Sequence, residues 1–101
     1  MIREVAVLSI KDGVEAEFLA AVEKAVAIFN AAEGCKGMWL ERVIETPGLY
    51  RLNVLWETLE HHTVTFRESQ GFQDWRGLVG PYFAAPPEVD HSEVVVEGFR
   101  P

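Results

Sequence analysis

The feature that most constrains the fold of this chain is the change of hydrophobic period along it. Residues 4–10 alternate in the two-residue period of a strand, and residues 13–32 then repeat apolar side chains at helical spacing. Asp12 and Glu15 resemble a capping box at the start of that helix, and Gly34 supplies its stop. Residues 37–45 and 50–56 return to a period of two around the turn "TPGL", which predicts a hairpin.

The second half of the chain repeats the change from helix to strand. Two runs at helical spacing predict two short helices joined near residues 69–71: Leu59, His62, Thr63 and Phe66, then Phe72, Trp75, Arg76 and Val79. The segment "HSEVVVEGF", residues 91–99, predicts a closing strand, and "AAPPEVD" before it predicts a loop. The order β-α-β-β-α-β indicates an α+β, ferredoxin-like fold with helices on one face of an antiparallel sheet.

Length and charge narrow the function classes. A chain of 101 residues with 49% hydrophobic content and no linker predicts a single domain over residues 1–101. Its net charge of -7 opposes phosphate backbones and anionic lipids, so we expect neither nucleic acid nor a membrane as partner. The apolar stretch in the first residues, "MIREVAVLSIKDG", is too short for a signal peptide or a membrane-spanning segment, which favours a cytoplasmic protein.

The predicted sheet carries apolar side chains on both of its faces, although helices can cover only one. Val5 and Val7 alternate with Ala6 and Leu8, and the second and fourth predicted strands show the same pattern. Burying a few hundred Å² of the second face at roughly 25 cal/mol per Å² would contribute several kcal/mol. We therefore expect a sheet-to-sheet homodimer rather than a monomer with a greasy surface.

Two stretches carry a resemblance to a known family. The turn "EGCKG" after a long first helix, and "LWETLEHH" followed by "F.ES.GF" after the third strand, resemble the antibiotic biosynthesis monooxygenases, which form dimeric α+β barrels. The resemblance covers nearly the whole chain. It implies two ferredoxin-like sheets that face each other in a dimer, with a pocket between each sheet and its helices. Its characterised members include cofactor-independent oxygenases of anthrones and quinols, and haem-degrading enzymes.

The site residues of the anthrone-type oxygenases carry over in part. Their tryptophan at the end of the third strand and an arginine twenty positions later match Trp56 and Arg76. Their tyrosine six positions after the tryptophan is His62 here, and their asparagine four positions before it is Leu52. Asn53 lies one residue away, which should turn its side chain to the opposite face of the sheet.

An oxygenase that uses no cofactor must deprotonate an electron-rich substrate, bind it and exclude water from it. The residue types of this chain fit these tasks. His62 is the candidate base, because an imidazole is readily poised near neutral pH. Arg76 could stabilise a developing oxyanion at the pocket rim. Flat walls for an aromatic substrate could come from four side chains: Trp56, Phe66, Phe72 and Trp75. A structural histidine, a surface salt bridge and simple core packing are the competing interpretations of these residues.

The leading hypothesis is a monooxygenase that uses O2 on a small aromatic or quinol-type molecule, with no cofactor. The alternatives are a non-catalytic dimeric ligand-binding barrel and a haem-binding or haem-degrading protein. The haem-degrading branch is less similar, because its asparagine, tryptophan and histidine would fall near Ala6, Phe66 and Arg76. His61 and His62 diverge by about 100° on a helix, so we expect no metal site.

Overall fold

The computed structural model describes residues 1–101, whose four strands form one antiparallel sheet. The strands are β1 (Ile2–Ser9), β2 (Cys35–Arg42), β3 (Leu49–Trp56) and β4 (Glu88–Ser92). Their order across the sheet is β2-β3-β1-β4, so β1 and β3 are central and β2 and β4 are edges. The predicted ferredoxin-like order and the hairpin of β2 and β3 are confirmed.

Helical segments cover one face of the sheet. They are α1 (Glu15–Ala31), a π-helix (His61–Phe66), α2 (Gln70–Val79) and a short 3₁₀ turn (Gly80–Tyr82). The predicted break between two short helices is confirmed, because Ser69 caps α2 by accepting a hydrogen bond from the backbone N–H of Phe72. The predicted capping box of α1 is wrong: its N-cap is Val14, and no side chain caps it.

The core lies between the helices and the alternate residues of the central strands. Leu8 of β1 and Leu52 and Val54 of β3 are each almost fully buried on this face. Phe29 of α1 packs between the rings of Phe66 and Trp75, at centroid distances of 5.2 and 5.1 Å. The period of two in the strands and the helical period of α1 therefore meet in one apolar layer.

The π-helix sets which side chains of the segment after β3 face the core. Its wide turn is closed by a hydrogen bond from the backbone N–H of Arg67 to the carbonyl of His62, five residues earlier. Both His62 and Phe66 are buried, at 3% and 4% exposure. Leu59, which we expected on the same buried stripe, is 40% exposed, because the spacing of a regular α-helix does not apply here.

The closing strand lies earlier in the chain than predicted. β4 spans Glu88–Ser92, so residues 88–90 come from the segment expected to be a loop and residues 91–92 from the start of the predicted strand. Residues 93–101 form no regular structure. Val95, Val96 and Phe99 are 85%, 84% and 97% exposed. The reason is the register: Ser92 pairs with Arg3, close to the first residue of β1, so the valines lie beyond the end of the ladder.

The second face of the sheet is free of helices, as the alternation predicted. Val5 and Val7 are only half-buried there, and Trp39 is 38% exposed. Asn53 also points to this face, as its offset from Leu52 predicted, and donates a hydrogen bond to Glu41 Oε1 at 3.0 Å. β4 adds no apolar side chain to this face, because the three valines of residues 94–96, which were expected in the closing strand, follow β4 in the chain.

The position of Phe29 gives a test of the core. We expect Phe29→Ala to lower the free energy of unfolding by about 3–5 kcal/mol, because it leaves a cavity between two aromatic rings. Val26→Ala, on the exposed side of the same helix, should change it by about 0.5 kcal/mol or less. Urea denaturation followed by circular dichroism measures both. Equal losses in the two variants would contradict this placement of α1.

Candidate active site

A cavity of about 750 Å³ lies between the helix-covered face of the sheet and α2, near the edge strand β4 and its neighbour β1. Its walls are mostly apolar, and they include Leu8, Leu52, Phe72, Trp75, Phe83 and Val89. A small set of polar side chains also reaches it: Glu4, His62, Arg67, Gln73 and Arg76. An apolar cavity of this size with few convergent polar groups is typical of a small-molecule site.

A buried carboxyl group forms the polar part of the cavity wall. Glu4 is 6% exposed and lies on the core-facing side of β1, one alternation before Ala6. Its Oε1 accepts a hydrogen bond from Trp56 Nε1 at 3.0 Å and lies 3.2 Å from His62 Nε2. The imidazole of His62 stacks on the indole of Trp56, with a centroid distance of 5.4 Å and an interplanar angle of 17°. These contacts hold the carboxyl and the imidazole in fixed positions.

A second histidine completes the network. His91 of β4 pairs directly with Glu4 of β1, and its Nε2 lies 2.7 Å from His62 Nδ1. Both ring nitrogens of His62 are therefore engaged, one towards Glu4 and one towards His91. Because the hydrogen bond between the two imidazoles needs one proton, one ring donates and the other accepts.

Burial shifts both members of the carboxyl–imidazole pair towards their neutral forms. Burial raises the pKa of Glu4, an effect opposed by the hydrogen bond from Trp56 and by the charge of Arg67. Burial, with smaller contributions from His91 and Arg67, lowers the pKa of His62 to about 4.

One carboxyl oxygen of Glu4 is left for a ligand. Its Oε1 takes both contacts within the protein, from Trp56 and His62, and Oε2 takes none. No fully buried side-chain oxygen or nitrogen lacks a hydrogen-bond partner. Oε2 therefore keeps some accessible surface, and Glu4 lines the cavity. The free oxygen is the polar atom of this pair that a bound molecule can reach.

The structure brings together four of the six side chains that we expected at the site. His62, Phe72, Trp75 and Arg76 line the cavity. Trp56 is fully buried behind His62 and is not part of the wall. Phe66 is also absent from this wall and packs against neighbouring rings. The substrate-binding role predicted for these last two stays a prediction, and Phe66 lines a second, smaller cavity between α1 and α2.

Three cavity or network residues were missed by the sequence reasoning. Glu4 had a visible signal, since it is an acid in phase with the core-facing residues of an otherwise apolar strand. His91 had none, because the predicted strand began where β4 almost ends. Arg67, which follows the inward-facing Phe66, is exposed to solvent, and its guanidinium also lies 6.0 Å from the centroid of the Phe72 ring, at the cavity.

The structure contains neither a metal-type cluster of side chains nor a helix of membrane-spanning length. No group of three or more His, Cys, Asp or Glu side chains is arranged so that it could hold a metal ion. None of the helices has both the length and the apolar character needed to span a bilayer.

The pKa of His62 can be measured directly. We expect its imidazole to stay neutral from pH 7 down to about pH 5 and to titrate near pH 4, because burial disfavours the charged form. Histidine NMR signals recorded against pH, assigned with a His62→Gln variant, give this value. A titration at or above pH 6.5 would contradict burial as the dominant effect on the pKa of this imidazole.

Comparison with known proteins places this geometry in a family. The family model described as antibiotic biosynthesis monooxygenase matches residues 1–78, which include β1, the π-helix and most of α2. The uncharacterised protein YczJ of Bacillus subtilis (strain 168) is 39% identical over 95 residues, which cover 94% of this chain and 100% of YczJ.

Solved structures agree with the family model. A Bordetella bronchiseptica protein named for the antibiotic biosynthesis monooxygenases has 47% identity and a TM-score of 0.92, over 94% of this chain and 97% of that one. The cofactor-independent oxygenase SnoaB of Streptomyces nogalater shares the fold, with a TM-score of 0.79 at 16% identity, over 95% of this chain and 94% of its own. The chain therefore belongs to the antibiotic biosynthesis monooxygenase family.

Proposed function

We propose that this protein is a cofactor-independent monooxygenase that oxidises a small aromatic or quinol-type compound with O2. The observation that carries the proposal is the free oxygen of Glu4 on the wall of an apolar cavity, backed by the imidazole of His62. Membership of the antibiotic biosynthesis monooxygenase family supports the same reaction class. The cavity has the polarity that a flat aromatic ligand needs.

The proposed reaction starts with the removal of a proton from the bound substrate. A carboxyl group whose pKa burial raises is a stronger base when ionised than an exposed one, and Glu4 is such a group. The resulting anion gives an electron to O2, and the two radicals combine into a peroxide anion, which takes the proton back from Glu4 and becomes a hydroperoxide. Loss of water then leaves one oxygen atom on the substrate, so that a CH2 group and O2 become a carbonyl group and H2O.

His62 acts in this proposal through Glu4 rather than as the atom that meets the substrate. Its two ring nitrogens are occupied by Glu4 and His91. A proton taken up by Glu4 Oε2 therefore lies on a carboxyl group whose other oxygen is 3.2 Å from a histidine that is itself bonded to His91. Arg76 lies at the cavity with its guanidinium over Phe72, where its charge favours the anionic form of the substrate.

One observation favours a second candidate function, a non-catalytic ligand-binding barrel. Leu52 lies on the cavity wall at the position where the resemblance implied an asparagine. A leucine offers no hydrogen bond to hold a reacting oxygen atom, whereas an apolar wall is sufficient to bind a ligand. Oxygen consumption distinguishes the two functions.

The proposal includes a homodimer formed through the helix-free face of the sheet. Val7 is half-buried there, Trp39 is 38% exposed, and no element of the same chain covers them. Burial of such a patch against a second copy would contribute several kcal/mol at roughly 25 cal/mol per Å². The cavity lies on the other side of the sheet, so each copy would keep its own site.

The oxygenase activity is tested by O2 uptake with a panel of quinols and anthrones under metal-free conditions. We expect Glu4→Gln to lower turnover by about 10²–10⁴-fold, because it removes the proton acceptor but keeps an oxygen for Trp56. Glu57→Gln, the same change at an exposed position, is the matched control and should be near wild type. No uptake across the panel would favour the binding protein.

Gly77 provides a steric test of where the reaction occurs. It lines the cavity from α2, and a Cβ at this position would meet no atom within 4 Å. Gly77→Leu should therefore fill the cavity and abolish substrate binding without loss of stability, since a helical glycine is itself unfavourable by about 0.5–1 kcal/mol. Gly77→Ala should lose less activity. Full activity in the leucine variant would place the reaction elsewhere.

The dimer is tested by placing a charge on the helix-free face. We expect Val7→Glu to convert a dimer into a monomer, because a carboxylate there would be buried without a partner. Val26→Glu, on the exposed side of α1, should leave the molecular mass unchanged. Light scattering after size-exclusion chromatography measures the mass of each variant. A monomeric wild-type protein would contradict this part of the proposal.

A further inference from the structure

Two unpaired guanidinium groups stand at the cavity in a chain that is acidic as a whole. Arg67 and Arg76 both line the cavity and are both exposed to solvent. The chain has 16 acidic and 9 basic side chains, yet neither of these guanidiniums forms one of its salt bridges. The guanidinium groups of Arg67 and Arg76 are therefore free to bind a ligand.

The two guanidiniums converge on one aromatic ring at the cavity. The Cζ atom of Arg67 lies 6.0 Å from the centroid of Phe72, and that of Arg76 lies 5.8 Å from it. Arg67 follows the π-helix and Arg76 belongs to the last turn of α2, so two elements place them together. Stacking on an aromatic ring holds a guanidinium in place while its N–H groups stay free to donate.

The rest of the cavity does not compensate their charge. Glu4 is the single acidic residue among the lining side chains, so the two guanidiniums outnumber it. The apolar walls of the cavity beside the two exposed guanidiniums strengthen their field inside it compared with open solvent. A ligand in the cavity therefore meets a positive potential, although the protein as a whole repels anions.

We infer that the natural ligand of this cavity is an aromatic compound that carries a fixed acidic substituent, such as a carboxylate, which Arg67 and Arg76 bind. The inference rests on the proposed function for the position of the site, and it adds the class of the substrate. A planar guanidinium matches a carboxylate or phosphate with two parallel hydrogen bonds, so a pair of them selects for an acidic group.

The test is a binding measurement that needs no turnover. The probes are 1-anilinonaphthalene-8-sulfonate, which is anionic, and N-phenyl-1-naphthylamine, which has a similar ring system without charge. Fluorescence titration gives a dissociation constant for each. We expect Arg67→Gln and Arg76→Gln each to weaken binding of the anionic probe by about fivefold, because each removes one exposed charge contact. Binding of the neutral probe should change by less than about twofold.

Controls separate this effect from a change in net charge or in the fold. Arg51→Gln removes the same charge from the helix-free face of the sheet and should leave both dissociation constants unchanged. Gly77→Leu should block both probes, which shows that they occupy the cavity. Arg67→Lys and Arg76→Lys keep the charge and should recover part of the affinity.

Three results would overturn the inference. They are no binding of the anionic probe to the wild-type protein, equal losses for the two probes in the arginine variants, and an equal loss in Arg51→Gln. Because the titration measures binding alone, it is independent of whether any quinol consumes O2. An inactive protein that still discriminates the probes through Arg67 and Arg76 would refute the oxygenase and keep the acidic ligand.

Discussion

The hydrogen bonds to the buried carboxyl group of Glu4 are the interaction on which the site depends. A carboxyl group that is 6% exposed would be costly in an apolar layer without partners. Trp56 from β3 donates a hydrogen bond to its Oε1, His62 from the π-helix contacts the same oxygen at 3.2 Å, and His91 from β4 bonds to His62. One polar network therefore joins four elements, and its unused oxygen is the one that lies at the cavity.

The site also explains two irregular features of the fold. The π-helix holds His62 and Phe66 inward together, four residues apart, and its wide turn is closed by a hydrogen bond to the carbonyl of His62. The early position of β4 puts His91 opposite Glu4 and leaves Val95 without a strand partner. If β4 were formed by the three valines of residues 94–96, His91 would no longer lie opposite Glu4. The observed register therefore keeps His91 in the polar network and leaves the valines unpaired.

The sequence predicted the order of the elements, because strand and helix periods differ and each element has one clear apolar face. The same periodicity identified His62, Phe72 and Trp75 as inward-facing, and these residues line the cavity. It failed for Leu59, since a π-helix cannot be read from a 3.6-residue pattern. Pairing register depends on where a partner strand begins, which explains the error in β4 and the missed role of His91.

A crystal structure of the protein with a bound quinol, prepared without oxygen, tests the central claim most directly. The account predicts that the ring lies between Phe72 and the sheet, with a hydroxyl group within hydrogen-bonding distance of Glu4 Oε2. It also predicts that His62 keeps its contacts to Glu4 and His91. A quinol bound outside the cavity, or one whose hydroxyl groups avoid Glu4, would contradict the assignment of this carboxyl as the proton acceptor.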